Sequence, residues 1–241
     1  GTFYLSLGTT AWIAGPMEKP FIDPQTRVFH IYTLDGHGCN VFGTAQCAGR
    51  SISWAQELFE ITSLRSFDSL AEQVEPGAGG LIYLPYLEGE RSPVFDALAQ
   101  GVFFGMNSMH KREHFTRAVL EGVACGLSQI LDTFREREQI DTLRIIGGGA
   151  KSRLWKQIIA DVCNVKLLEV STFSDSATSL GAAAAAGVGI RLFKSLPEAV
   201  RHISLSGTVE PSENAEELYG LTKKRYAMLY PALKEAFHTR A

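Results

Sequence analysis

Arg144-Ile145-Ile146-Gly147-Gly148-Gly149-Ala150-Lys151-Ser152-Arg153-Leu154-Trp155 is the stretch whose reading decides the fold. A short β-branched run ends in three glycines, and an amphipathic helix starts at once. Leu154, Trp155, Ile158, Ile159 and Val162 fall on one helical stripe, with Arg153, Lys156, Gln157 and Asp161 off it. Ser152 is placed to cap that helix, its hydroxyl accepting from a free N–H of the first turn. Strand, glycine turn and helix together make a place where a flat or anionic ligand can approach bare backbone, and helix N-terminal amides favour phosphate there. The same residues also read as a tight strand-to-helix turn that holds nothing. Two familiar fingerprints fail. A P-loop needs glycine before the lysine, and Ala150 precedes Lys151. A dinucleotide-binding Gly-x-Gly-x-x-Gly from Gly147 would need glycine where Ser152 stands.

Working outward, 241 residues with 45% hydrophobic and 20% charged content describe an ordinary soluble globular chain. A net charge of −3 argues against a general electrostatic grip on nucleic acid. No run is long and apolar enough to span a bilayer, and no signal-peptide pattern opens the chain. Cys39, Cys47, Cys125 and Cys163 lack paired metal spacing and read as reduced, mostly buried thiols of a cytoplasmic protein. The chain opens on Gly1 inside a strand-like run, which leads us to expect a fragment of something longer.

Residues 3–7 read as a strand, Gly8-Thr9-Thr10 as a tight turn and residues 11–14 as the returning strand. The turn offers outward amides and two hydroxyls to a phosphate, although an ordinary polar hairpin has the same composition. Residues 16–24 read as loop and 28–32 as a strand. Asp35-Gly36-His37-Gly38 is a turn cluster in which His37 is more simply a turn residue than a catalytic one. A long helix is expected over about 44–59, a short one over 67–74 and a buried strand over 81–84.

Residues 85–110 are too long for a bare connector. Glu88, Glu90 and Asp96 lie there, but Glu90-Arg91 reads as readily as an internal salt bridge as it does acid–base machinery. His110 and His114 have a helical metal spacing without the rest of a metal motif. Residues 111–137 are the clearest helix, and Gly122 and Gly126 on its apolar face imply close packing. Beyond the opening stretch come a strand over 165–170, a small-residue helix over 179–187, and helices over 195–202 and 212–237. Pro231 is expected to kink or break the last. The order implies a single α/β domain with a mixed sheet.

Taken together, five segments resemble the carboxy-terminal domain of the FGGY carbohydrate kinases, nearest to its xylulokinase-like branch. They are Ser6-Leu7-Gly8-Thr9-Thr10, Pro85-Tyr86-Leu87-Glu88-Gly89-Glu90-Arg91-Ser92-Pro93, Arg117 to Ala124, Gly147 to Trp155, and Leu180-Gly181-Ala182-Ala183. The resemblance covers nearly all of residues 1–241. It implies a ribonuclease-H-like lobe of the actin/hexokinase type, with a mixed sheet flanked by helices. The implied activity is transfer of the γ-phosphoryl group of ATP, with Mg2+, to a hydroxyl of a sugar or polyol, a ketopentose such as xylulose foremost.

Residue by residue, Gly8, Thr9 and Thr10 match the family's second phosphate hairpin. Gly49 and Ser53 match helix positions bordering the nucleotide. Gly148, Gly149 and Ala150 match the turn beneath adenine and the α-phosphate, so that a side chain at Gly149 would stand in the ligand's path. Arg153 matches a frequent adenine contact. The resemblance puts the catalytic aspartate, the first phosphate hairpin, most of the sugar site and most of the hold on Mg2+ in an N-terminal domain outside this chain. No catalytic residue and no metal ligand is therefore assigned here. Asp175 stands near where many relatives carry a glutamate and receives no role. The implied partners are ATP, the sugar and the N-terminal domain, with neither nucleic acid nor membrane; a homodimer is compatible with the resemblance and not demanded by it. The rival reading is a non-catalytic nucleotide-binding or interaction module of the same fold.

Overall fold

Leu5, Leu7, Ile13, Leu143, Ile145 and Leu167 are all at most 1% exposed, and the architecture follows from giving them one shared face. The computed structural model describes residues 2–17, 19–33, 36, 38–170, 176–201 and 203–239; His37, Asp35 and Asp175 lie outside them. The elements run β1 (Tyr4–Leu7), β2 (Ala11–Met17), β3 (Phe29–Tyr32), β4 (Cys39–Ala45), α1 (Gly49–Leu58), α2 (Leu64–Ala71), β5 (Ile82–Leu84), β6 (Val102–Phe104), α3 (Arg112–Arg135), β7 (Thr142–Ile146), α4 (Arg153–Cys163), β8 (Lys166–Val170), α5 (Ala177–Gly189), α6 (Leu196–Val200), β9 (Leu205–Val209) and α7 (Ala215–His238).

Seven strands form one sheet in the order β3-β4-β2-β1-β7-β8-β9. β1, β7 and β8 are parallel, and the remaining neighbours are antiparallel. This is the mixed sheet expected. Leu5, Leu7, Leu143, Ile145 and Leu167 join the main core with α3 and α4. On the opposite face Tyr4, Trp12, Arg144, Ile146 and Val170 line a hollow of about 310 Å³ with Ala177, Leu180 and Gly181 of α5.

α3 is the central helix, and nearly every residue from Thr116 to Leu131 is buried. Gly122 explains how it sits so deep. A side chain there would run into the backbone carbonyl of Tyr83 in β5, so glycine lets helix and strand touch through their main chains. The closeness implied by Gly122 is therefore contact with the small β5–β6 sheet. Arg117 and Glu121, one turn apart on α3, pair at 2.6 Å and are almost wholly buried. Arg117 also donates to the Tyr219 hydroxyl (2.6 Å) and the Val74 carbonyl (3.3 Å), which ties α7 and the end of α2 to α3.

Several expectations change. Residues 39–45 are strand β4, paired along its length with β2 from Cys39↔Met17 to Ala45↔Ala11, so the helix expected from about 44 begins only at Gly49. Apolar residues in this run satisfied a helical spacing, but the ladder with β2 takes them first. β2 runs through Pro16 because it has outrun β1, whose register ends at Tyr4↔Ala14, and one of its edges there carries no ladder. Pro231 lies inside α7 without ending it. Residues 85–110 contain β6, and 205–209 form β9; neither was anticipated. No helix among the described residues is long and apolar enough to cross a membrane.

Replacing Gly122 by alanine sets two effects against each other. Helix propensity favours alanine by about 1 kcal/mol. Overpacking against a backbone carbonyl that cannot rotate aside costs about 1–3 kcal/mol or more. Gly122→Ala should therefore lower Tm, at about 2–4 °C per kcal/mol for a chain of this size. Gly181→Ala on α5, where a Cβ meets nothing within 4 Å, should raise it. A Gly122→Ala melting curve at or above wild type would show that α3 and β5 do not touch in this way.

Candidate nucleotide-binding site

The parallel ladder sets Tyr4 beside Arg144 and Ser6 beside Ile146, so β1 and β7 end at one level. Each strand then runs into a glycine turn, and the two turns lie side by side. Gly147, at φ 98°, packs where any Cβ would come within 2.6 Å of the Leu7 carbonyl oxygen, one residue before Gly8. The crevice outside the carboxyl ends of parallel strands is where open α/β sheets receive ligands.

The first turn is held from behind. The N–H groups of Ala48 and Arg50 both donate to the Thr9 carbonyl at 3.0 Å, and the Gly49 N–H donates to the Gly8 carbonyl at 2.9 Å. A Cβ on Gly49 would lie 2.6 Å from the Gly8 oxygen, which is why glycine opens α1. The amides at the start of α1 are thus spent on the hairpin and are not offered to an anion. Gly8 turns its own N–H inward, to the Thr10 carbonyl at 3.0 Å. What the turn presents outward is exposed Thr9, with Gly8 and Thr10 half-buried beside it.

The second turn is a single 3-10 turn over Gly148–Lys151, followed by α4. Ser152 caps α4 as expected, accepting from the Trp155 N–H at 2.9 Å, and its own N–H donates to the Gly149 carbonyl at 3.1 Å. The three glycines have three different reasons. Gly147 is required by its positive φ. Gly149 is required by packing, since a Cβ there would lie 2.6 Å from the Leu7 side chain and 2.8 Å from the Trp155 ring. Gly148 is exposed, and a Cβ there meets nothing within 4 Å. The expectation that a side chain at Gly149 would stand in a ligand's path is therefore corrected: it would point into the core, and Gly148 is the open position. Ala150 is half-buried within the turn, Arg153 is exposed on the first turn of α4, and Ser53 is exposed one turn beyond Gly49 on α1.

Two carboxylates behind these turns had no assigned part. Glu90 does not pair with the Arg91 guanidinium. Its Oε1 instead accepts the backbone N–H groups of Gln46 (2.6 Å) and Arg91 (2.8 Å). Burial pushes the carboxyl up to about 8, with the two N–H donors and the Arg91 charge pulling the other way. Asp68 of α2 sits beside Ser152; burial raises its carboxyl and the Ser152 hydroxyl offsets part of that. A Gly-Glu-Arg segment signals charge, and nothing in the sequence says that one carboxylate turns inward to the backbone of residue 46.

Asp96 is also occupied, accepting from the Tyr230 hydroxyl at 3.0 Å and contacting His238 Nε2 at 2.8 Å. The Nδ1 atoms of His110 and His114 accept the N–H groups of Asn107 and Lys111, and His110 Nε2 lies against the Gly79 carbonyl. Among the described residues no group of three or more His, Cys, Asp or Glu is arranged to hold a metal.

Sheet order, helices on both faces and the paired turns make this one lobe of the actin/hexokinase-type ATPase fold. The chain superposes on xylulose kinase from Lactobacillus acidophilus with TM-score 0.90, 26% identity, and 98% of this chain covering 48% of that one. Gluconate kinase from the same organism gives TM-score 0.89 and 27% identity, again with 98% of this chain against 48% of that one. In sequence, xylulose kinase from Staphylococcus epidermidis is 34% identical over 196 residues, which is 80% of this chain and 39% of that protein. Residues 3–190 match the model of the FGGY family of carbohydrate kinases, C-terminal domain, and the chain belongs to that family. It spans less than half the length of each of these relatives.

Glu90 gives a test that needs no ligand. A carboxyl whose folded pKa is raised holds its proton longer in the folded than in the unfolded chain. Its contribution to stability is full below the unfolded value of 4.5 and falls as pH rises towards about 8. Glu90→Gln keeps an oxygen for both N–H donors and removes the titration. Denaturant unfolding at pH 5, 7 and 8.5 should therefore show the variant's advantage growing with pH; parallel stability profiles would show that Glu90 is not buried in this way.

Proposed function

We propose that this chain is the nucleotide-holding half of an ATP-dependent kinase that phosphorylates a hydroxyl of a sugar or polyol. The observation that carries the reading is the pair of glycine turns at the ends of β1 and β7, one presenting exposed Thr9 and the other exposed Gly148. Membership of the FGGY family supports the reaction class. The names of its relatives favour a ketopentose such as xylulose over gluconate as acceptor: xylulose kinases are 34% identical over 196 residues and 31% over 240, against 31% over 189 for a gluconokinase.

ATP bound with magnesium supplies the transferable phosphoryl group. Thr9 offers a hydroxyl where the terminal phosphates would lie, and Gly8 keeps the approach clear. Gly148 leaves room for the nucleotide against bare backbone, while the Gly149 and Ala150 backbone forms the floor. Ser53, one turn into α1, and Arg153, at the start of α4, flank the position the adenosine would take. Asp96 and Glu90 are engaged elsewhere, and the likeness to the family implies that the proton acceptor and the acceptor-sugar site belong to its N-terminal domain. Phosphoryl transfer depends on positioning and charge stabilisation, which two lobes closing on a cleft supply together.

Titration calorimetry of the chain with ATP should give a dissociation constant in the high micromolar to millimolar range, roughly 4–6 kcal/mol. Gly148→Val should abolish that binding at unchanged Tm, and Gly149→Val should lower Tm through Leu7 and Trp155. Equal ATP binding by Gly148→Val and wild type would remove the second turn from the site. With magnesium, ATP and a panel of sugars and polyols, the chain alone should form no sugar-dependent ADP. Activity that is lost in Thr9→Ala would place the base within these residues and overturn the division of labour.

A further inference from the structure

We propose that Glu90 is a positioning residue for the nucleotide site, fixing the β4–α1 link by its Oε1 atom and through that link the Gly8–Thr10 turn. The inference rests on the nucleotide reading above and adds to it a residue that touches no ligand.

The connection is short and made of main-chain bonds. Glu90 Oε1 accepts the Gln46 N–H at 2.6 Å. Gln46 follows β4 directly, and two residues later the Ala48 N–H holds the Thr9 carbonyl at 3.0 Å. Gly49 and Arg50 add bonds to Gly8 and Thr9 at 2.9 and 3.0 Å, so residues 46–50 form a bracket behind the turn. Just beyond the bracket the Ser51 hydroxyl donates back to the Cys47 carbonyl at 2.7 Å.

Glu90 is itself fixed. Its N–H and carbonyl exchange bonds with Asp96, both at 2.9 Å, and the Ser92 N–H donates to the Thr44 carbonyl at 2.9 Å. Gly89, at φ 72°, lets this strap close on Ala97, where a Cβ would come within 2.9 Å of backbone. The strap thus lies along the end of β4 and delivers one carboxylate to the link. Other roles fail on geometry. The residue is 6% exposed, it belongs to no metal-like cluster among the described residues, and its bond to Arg91 goes to the backbone. Glu88, two residues earlier, faces solvent and pairs with Arg50 at 3.2 Å, a surface contact that leaves the bracket in place. Burying a carboxyl is unfavourable, and one oxygen that gathers two amides from separate turns offers a compensating gain that an apolar residue cannot.

Hydrogen exchange and ATP titration of the intact chain test the proposal together. In Glu90→Ala, amides at residues 8–10 and 46–50 of the ligand-free chain should exchange at least tenfold faster, while those of β7 and α4 keep their wild-type rates. Its ATP affinity should fall at least tenfold. Glu90→Gln retains the accepting oxygen, so its amides should exchange no faster than wild type and its ATP affinity should match within about twofold. Should Glu90→Ala not fold, Glu90→Asp, one methylene too short to reach Gln46, should show the same local loss. Faster exchange spread evenly over the chain, or wild-type ATP affinity in a folded Glu90→Ala, would overturn the proposal. Equal loss in Glu90→Gln and Glu90→Ala would overturn it too, because charge and not the backbone bond would then matter. If the wild-type chain binds no ATP at all, the nucleotide reading fails, while the exchange pattern still reports separately on the bracket.

Discussion

The parallel pairing of β1 with β7 is the constraint on which the rest depends. Two strands far apart in sequence are held in a register that ends both at one height. Whatever follows them must then turn within the same few ångströms. That crowding forces glycine on the second turn, at Gly147 against the Leu7 carbonyl, and the first turn in its place forces glycine on the start of α1, at Gly49 against the Gly8 carbonyl. The placing of exposed Thr9 and Gly148 side by side is thus a by-product of strand geometry. Helix α3, sunk against β5 through Gly122, supports the arrangement from the core side.

Support for the two turns comes from behind. The first leans on the opening of α1 and, through Gln46, on Glu90. The second leans on Ser152, which the Asp68 carboxylate approaches from α2. In each case a side chain that faces inward fixes a backbone segment that faces outward. With these polar anchors on the protected side, Thr9 and Gly148 stay exposed on the outer one. It also explains why charged residues occur where exposure alone would predict apolar ones.

How much of this the sequence disclosed varies by element, for physical reasons. The Gly147–Trp155 turn and its Ser152 cap were legible because strand, glycine and cap obey local rules, and α3 because its spacing persists over six turns. Residues 44–48 misled because so short a stretch fits either period; Thr44 and Ala45 pair with β2, and 46–48 form the link to α1. β6 and β9 are three and five residues long and pair with distant partners, which no local pattern records. The direction in which Gly149 would point a side chain, and the inward turn of Glu90, depend on contacts with Leu7 and Gln46 made only after folding. The local course of the two turns was readable; which atom of each residue faces the crevice was not.

Helix α5 carries a consequence of its own. From Ala182 to Ala186 its side chains are single methyl groups, and several of them are exposed. Alanine has no rotamers to lose, so covering this helix costs almost none of the side-chain entropy that usually opposes association. A surface of that kind has shallow relief, and a neighbour can shift along it without unlocking interdigitated side chains. Its contact would be quick to form and quick to release, with little memory of exact register. Low friction at one face is as much a property of the sequence as tight packing is at another.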